Sequence, residues 1–234
     1  MAIDLEAVAR AVDDSISLVY LCNPNNPTGM AIDGDELRSF CREISPKVPI
    51  LIDEAYNELT DRPDYTSMVD LVRGGANILI TEPSQRSLVW LGSAWATEWA
   101  PDIVSVVKDN VMAWPNGVGL YAAYHSYLDE DLLLFSREDS SGREMVNATF
   151  RRHGIEPLPS QTSFVYADIQ RDADVFKARM AERNVKIRGI YKGYSTFRGS
   201  VWVGSKISEH LTRFLARSIA RADIQSAITL HSRV

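Results

Sequence analysis

The 234-residue sequence has little cysteine, no long apolar run and no surplus of basic charge. Cys22 and Cys41 stand in no CxxC or metal-ligand spacing, so no disulfide framework or zinc site is expected and both are read as reduced, buried thiols. His125, His153, His210 and His231 show neither HxH nor HExxH spacing, and no GxSxG occurs, which argues against metal-hydrolase and serine-hydrolase chemistry. With 25 Lys and Arg against 31 Asp and Glu, the net charge is −6, and no basic tract supplies the clustered cations that a nucleic-acid groove needs. Stretches such as Ser17 to Cys22 and Pro49 to Ile52 are of strand length, far short of the roughly 20 apolar residues that span a bilayer. Residues 1–16 are acidic and helix-patterned, without the basic start and apolar centre of a signal peptide, so a cytoplasmic protein is expected. Internal repeats and low-complexity tracts are also missing, which excludes solenoids. Small molecules or protein partners remain.

What is present is an alternation of strand-length apolar runs with amphipathic segments, the pattern of an α/β protein with a mainly parallel sheet. Helices are predicted over Leu5 to Val12, Asp35 to Ile44 and Thr66 to Val72, with strands at Leu18 to Cys22, Ile50 to Ile52 and Ile78 to Thr81 between and after them. Leu37, Phe40, Cys41 and Ile44 share one helical face. A fourth extended run covers Leu88 to Ala96, and helices are expected over Pro101 to Lys108 and Gly117 to Phe135, the second as a linker. A smaller α+β domain follows, with helices at Arg137 to His153, Ala173 to Asn184 and Ser208 to Ala222 and strands at Phe164 to Ile169, Val185 to Arg188 and Val201 to Val203. The expected organisation is a large domain over 1–135, a small domain over 136–222 and a tail over 223–234.

One segment stands out chemically. Asn23 to Gly29 reads NPNNPTG directly after a strand, at the strand end where open α/β sheets place their ligands. Asn, Pro and Gly also serve ordinary sharp turns. Here, however, the next strand ends in Asp53, within DEAY, and Tyr56 lies three residues further on, so that Asn26, Asp53 and Tyr56 are drawn towards one sheet edge.

NPNNPTG followed by DEAY resembles the class I/II aminotransferases of fold type I, and within them the histidinol-phosphate aminotransferase-like branch. The likeness runs from about Asp4 to Ala220 and takes in PSQTSFVYADI of the small domain. It implies a pyridoxal 5'-phosphate site in which Asn26 and Tyr56 contact the phenolic oxygen of the cofactor and Asp53 pairs with its ring nitrogen, keeping the ring an electron sink. The family commonly has a longer N-terminal part that helps bind the cofactor phosphate. The resemblance therefore implies a partial large domain, with its open sheet edges covered by a homodimer, by a hetero-oligomeric partner or by local remodelling.

The pattern then breaks. Where the family has a Ser-Lys step and, eight residues on, a phosphate-binding arginine, this sequence reads TEPSQRSLVWLGSAWATEW, which puts Arg86 at the lysine position and Ala94 at that of the arginine. A guanidinium stays protonated and is no amine nucleophile, although it can pair with an anion. The substrate-carboxylate arginine of the family falls at Ser200, with Arg198 two residues earlier as a weak substitute. Lys192, in GIYKGY, is the lysine best placed to approach such a site, and surface exposure is its blander role. Trp90, Trp95, Trp99 and Trp114 crowd the altered segment, either filling sheet surface or forming a ligand face. The expectation is an aminotransferase-like pseudoenzyme with weak or absent cofactor binding and no ordinary transamination. The alternative is an active pyridoxal- or pyridoxamine-phosphate enzyme acting on an amino acid or amine without the usual lysine.

Overall fold

The computed structural model describes residues 2–83, 95–98, 130–169, 172–182, 185, 187 and 200–201. Arg86, Ala94, Lys192, Arg198 and the segment over Ser208 to Ala222 lie outside them, as do Trp90, Trp99 and Trp114.

The chain forms two compact units, the first comprising Met1–Asn26 and Met30–Ser136, the second Pro27–Gly29 and Arg137–Val234. In the first, strands β1 (Val19–Cys22), β2 (Ile50–Asp53), β3 (Ile78–Pro83) and β4 (Trp95–Glu98) stand in that order. β1, β2 and β3 are mutually parallel and β4 is antiparallel to β3, giving the mainly parallel α/β sheet that the alternation predicts. The register pairs Cys22 with Asp53 and Asp53 with Thr81, so β1 and β2 end flush while β3 runs two residues further, to Pro83.

Helices α1 (Leu5–Ala11), α2 (Gly34–Ile44) and α3 (Val69–Arg73) start and stop for local reasons. The Asp4 carboxylate accepts from the Ala7 N–H at 2.8 Å. That of Asp33 accepts from Asp35 and Glu36 at 2.9 and 3.0 Å, using donors that a helix start leaves unpaired. Leu37, Phe40, Cys41 and Ile44 are buried on one side of α2. They pack in a single core with Val19, Leu21, Ile50, Ile52, Ile78 and Ile80, all from one face of the sheet. Gly34 permits close passage, because a Cβ there would lie 2.6 Å from the Asp64 carbonyl oxygen.

Helix α3 begins later than its sequence pattern predicts, at Val69 rather than Thr66. The Met68 N–H is taken by the Glu54 side chain and the Val69 N–H by the Ser67 hydroxyl, which holds this approach in a non-helical turn.

In the second unit the core is built from Val146, Phe150, Ile155, Val165, Ala167, Ile169, Phe176, Met180 and Ile187. Helix α4 (Glu130–Arg152) runs without interruption, whereas the sequence pattern predicts two helices meeting near residue 136. Strand β5 (Val165–Tyr166) pairs antiparallel with β6 (Ser200–Val201), shorter than the Phe164 to Ile169 expectation. Helix α5 (Ala173–Ala181) is capped by Asp172, which accepts from Asp174 and Val175 at 2.9 and 3.0 Å. Among the described residues no helix is long and apolar enough to cross a membrane, and no group of three or more His, Cys, Asp or Glu is placed to hold a metal.

Candidate cofactor site at the strand ends

The flush ends of β1 and β2, beside β3, create a shelf, and the residues that leave it carry the polar groups. The chain leaves β1 through Asn23, whose N–H donates to the Asp53 carbonyl at 3.0 Å, extending the β1–β2 ladder by one bond. Asn23 is 1% exposed and works as a clamp. Its side-chain oxygen accepts from the Ile32 N–H at 2.8 Å, and its carbonyl accepts from the Tyr65 hydroxyl at 3.1 Å. The Asn23-Pro24 peptide is cis, and the Asn25 N–H donates to the Met30 carbonyl at 2.8 Å across the neck of the loop. Arg62 braces the exit, donating to the Ala31 carbonyl at 2.9 Å while pairing with Asp64. Burial of the NPNNPTG backbone is thus matched by hydrogen bonds from both neighbouring segments.

The loop presents Asn26, whose amide donates to the Tyr56 hydroxyl at 3.0 Å. Asn26 is exposed and Tyr56 only 4% exposed, so the tyrosine forms a fixed post against which the amide is set. Asp53 is half-buried at the last position of β2. Its Oδ1 accepts from the Ala55 N–H at 3.1 Å and its Oδ2 from the Tyr20 hydroxyl at 3.2 Å. The arrangement offers two kinds of group. One is a pair of hydrogen-bonding tips, amide and phenol, drawn together at a single point. The other is a carboxylate at a strand end.

Two residues of this shelf escape the sequence pattern. Tyr20 falls within an expected buried strand, yet it is 58% exposed. Its hydroxyl is pushed above the ordinary phenol range by partial desolvation first, and then by Cys22 and Asp53. Alternation along the strand is the available signal, because Val19 and Leu21 face the core and Tyr20 faces away. Glu54, the second acid of DEAY, is 1% exposed, and its Oε1 accepts from the Met68 N–H at 3.0 Å. Its Oε2 has no hydrogen-bond partner among the described residues. Burial pushes the carboxyl upward, against the opposing hydrogen bonds of Ser67, the Met68 N–H and Asn57. Cys41, packed nearby on α2, is pushed up to about 12 by its own burial and by the charge of Glu54.

Pro27–Gly29 cluster with the second unit. The Gln161 N–H donates to the Gly29 carbonyl at 2.6 Å. Gly29 has φ +75°, and a Cβ there would fall onto Ser160, 2.6 Å from that residue's own Cβ. Ser160 is itself fixed, its hydroxyl donating to the Phe164 carbonyl at 2.5 Å and accepting from the Thr162 N–H at 3.1 Å. Arg86 and Arg198, the remaining sequence-selected residues, lie outside the described residues.

Known proteins resemble the chain over most of its length. The family described as aminotransferase class I and II matches residues 1–84. A histidinol-phosphate aminotransferase of Moorella thermoacetica is 30% identical over 201 residues, covering 83% of this chain and 52% of that protein. An aromatic amino acid aminotransferase of Mycobacteroides abscessus is 31% identical over 189 residues, covering 79% and 54%. The chain therefore spans about half the length of these curated relatives. Among solved structures, the histidinol-phosphate aminotransferase from Clostridium acetobutylicum superposes with a TM-score of 0.83 at 20% identity, over 96% of this chain and 69% of that one. The Sinorhizobium meliloti enzyme in complex with pyridoxal-5'-phosphate gives 0.77 at 22% identity, over 94% and 62%. Residues 1–84 thus match the class I/II aminotransferase family, and the mainly parallel α/β sheet that they help to build is the fold of these solved neighbours.

Proposed function

We propose that this chain binds the ring of pyridoxal or pyridoxamine phosphate noncovalently and weakly, and does not by itself carry out ordinary transamination. The observation that carries the reading is the 3.0 Å approach of Asn26 to Tyr56 on a loop whose backbone is clamped to the strand bearing Asp53. The donor set suits the group. An amide and a phenol drawn together are matched to an anionic ring oxygen, and a carboxylate held at a strand end is matched to a protonated ring nitrogen. When bound, such a ring supplies an electron sink for a carbanion beside an amino group.

The residues of the chain act around that chemistry in separate ways. Asn26 and Tyr56 would hold the phenolic oxygen of the ring, Asp53 would pair with its protonated nitrogen, and Asn23 holds the loop against the sheet. The resemblance puts Arg86 where a lysine would bond the cofactor aldehyde, and a guanidinium stays protonated and is not a nucleophile. The family match ends at residue 84, just before that segment. A binding or partner role follows, in a homodimer or beside another chain.

A second reading is favoured by the retention of all three ring-facing side chains: an active pyridoxal- or pyridoxamine-phosphate enzyme acting on an amino acid or amine without the usual lysine. One experiment separates the two. Protein mixed with pyridoxal phosphate is reduced with borohydride and its intact mass measured, alongside an absorbance titration of the wild type and Asp53→Ala. The expected outcome is no covalent adduct and binding that Asp53→Ala weakens. A single stoichiometric adduct on one lysine refutes the noncovalent reading. Equal affinity for wild type and variant refutes the site.

A further inference from the structure

A carboxylate at the end of a strand turns freely about its own bonds unless something holds it, and Asp53 is held on both oxygens. The Ala55 N–H takes Oδ1 at 3.1 Å, a local contact that any residue at position 55 except proline could make. The Tyr20 hydroxyl takes Oδ2 at 3.2 Å and comes from the neighbouring strand. The register explains how it reaches. Tyr20 pairs with Leu51, two residues before Asp53 on the same face of the sheet, and that diagonal of about 7–8 Å lies within range of an aromatic side chain. Tyr20 is 58% exposed and adds little to the core on the opposite face. The phenol has one hydrogen to give, and it is given to Asp53. An ionised carboxylate has about four acceptor positions, so two donors leave room for a third from a ligand.

We propose that Tyr20 is a positioning residue of the cofactor site, locking the Asp53 carboxylate from the adjacent strand so that its remaining acceptor positions meet a ring N–H. The inference rests on the noncovalent cofactor reading above. It makes Tyr20 specific for one atom of the ligand, the ring nitrogen, which a residue acting through general packing would not be.

The test measures affinity of the whole chain for pyridoxamine 5'-phosphate and for its 1-deaza analogue, in which carbon replaces the ring nitrogen, using wild type, Tyr20→Phe and Asp53→Ala. Tyr20→Phe keeps the ring and removes only the hydroxyl, so the midpoint of urea unfolding is expected to stay unchanged. The expected result is about tenfold weaker binding of pyridoxamine phosphate by Tyr20→Phe, the loss of one hydrogen bond to a charged group, with binding of the deaza analogue unaltered. Equal weakening towards both ligands, or no weakening towards either while Asp53→Ala still weakens pyridoxamine phosphate, overturns the role of Tyr20 and leaves the cofactor reading standing. Pyridoxamine phosphate binding that is insensitive to Asp53→Ala, or absent from the wild type, overturns the cofactor reading and this inference with it.

Discussion

Replacing Glu54 makes the sharpest test of how the shelf is built. The side chain is 1% exposed, with one oxygen on the Met68 N–H and the other without a partner among the described residues. Glu54→Ala leaves the Met68 donor buried and unpaired, a cost of about 1–3 kcal/mol. It also removes one buried methylene, worth about 0.8 kcal/mol. A loss of roughly 2–4 kcal/mol is expected, a large share of the stability of an ordinary domain. Glu54→Gln keeps the acceptor for Met68 and places an amide at the orphaned position, so its cost at low pH is expected to stay under about 1 kcal/mol.

The pH dependence separates these effects from simple packing. Burial raises the Glu54 pKa above its ordinary 4.5, so the fold favours the protonated carboxyl. Below about 4.5 both folded and unfolded states hold that proton, and the contribution is fully present. As pH rises from there, the unfolded chain releases the proton before the folded one does. Stability is then lost at about 1.4 kcal/mol per pH unit until the folded pKa has been passed. Urea unfolding of wild type and Glu54→Gln between pH 4 and 8 reads the difference directly, because every other carboxyl is common to both. The wild type should decline relative to the variant as pH rises. A difference that stays flat, or that moves in favour of the wild type at higher pH, refutes the account of Glu54 as an acid whose pKa is raised by burial.

Gly29→Ala should cost more than about 2 kcal/mol, since the left-handed backbone alone costs an L-residue about 1–2 kcal/mol and the new methyl meets Ser160. Adding Ser160→Gly should restore the steric part and not the backbone part in urea unfolding. Full recovery would show that the positive φ carries no cost. Cys41, with its thiol pushed up to about 12 and its side chain fully buried, should resist Ellman's reagent at pH 8 in the native protein and react at once in urea. Native labelling at the rate of a free thiol would contradict its burial.

The side of the shelf that carries Asn26, Asp53 and Tyr56 is legible in the sequence because it depends on short-range rules. A strand followed by NPNNPTG, and a strand ending in an acid, place their polar groups at the same sheet edge whenever the strands are parallel neighbours, and the Asn26 to Tyr56 contact follows. Tyr20 and Glu54 are harder to see because one-residue differences in facing decide their roles. Tyr20 sits beside two core residues, and Glu54 sits beside the acid that faces the shelf, yet alternation sends each the other way. The early start predicted for α3 fails because the buried Glu54 takes the Met68 N–H, a contact from 14 residues earlier that no local pattern encodes. The sequence pattern divides α4 at residue 136, ending one helix at Phe135 and starting the next at Arg137. In the structure one helix runs through, with Gly142, Arg143, Val146 and Asn147 buried along it, and such packing stabilises a helix beyond its local propensity.

The placement of these contacts bears on what the altered segment around Arg86 does to the site. Several hydrogen bonds that orient these side chains and their loop join residues between Tyr20 and Tyr65, namely Tyr20 to Asp53, Ala55 to Asp53, Asn26 to Tyr56, and Asn23 to Asp53, Ile32 and Tyr65, while the Gln161 N–H holds the Gly29 carbonyl. The register of β1 against β2 sets the contacts of Tyr20 and Asn23 with Asp53, and a slip by one residue would turn Asp53 from the shelf into the core. That register is fixed in turn by Val19, Leu21, Ile50 and Ile52 packing on α2, all of which precede the altered segment in the chain. On the proposed reading, ring binding would then depend on contacts set before residue 84 and covalent capture on the segment after it, so that a change in the second need not disturb the first.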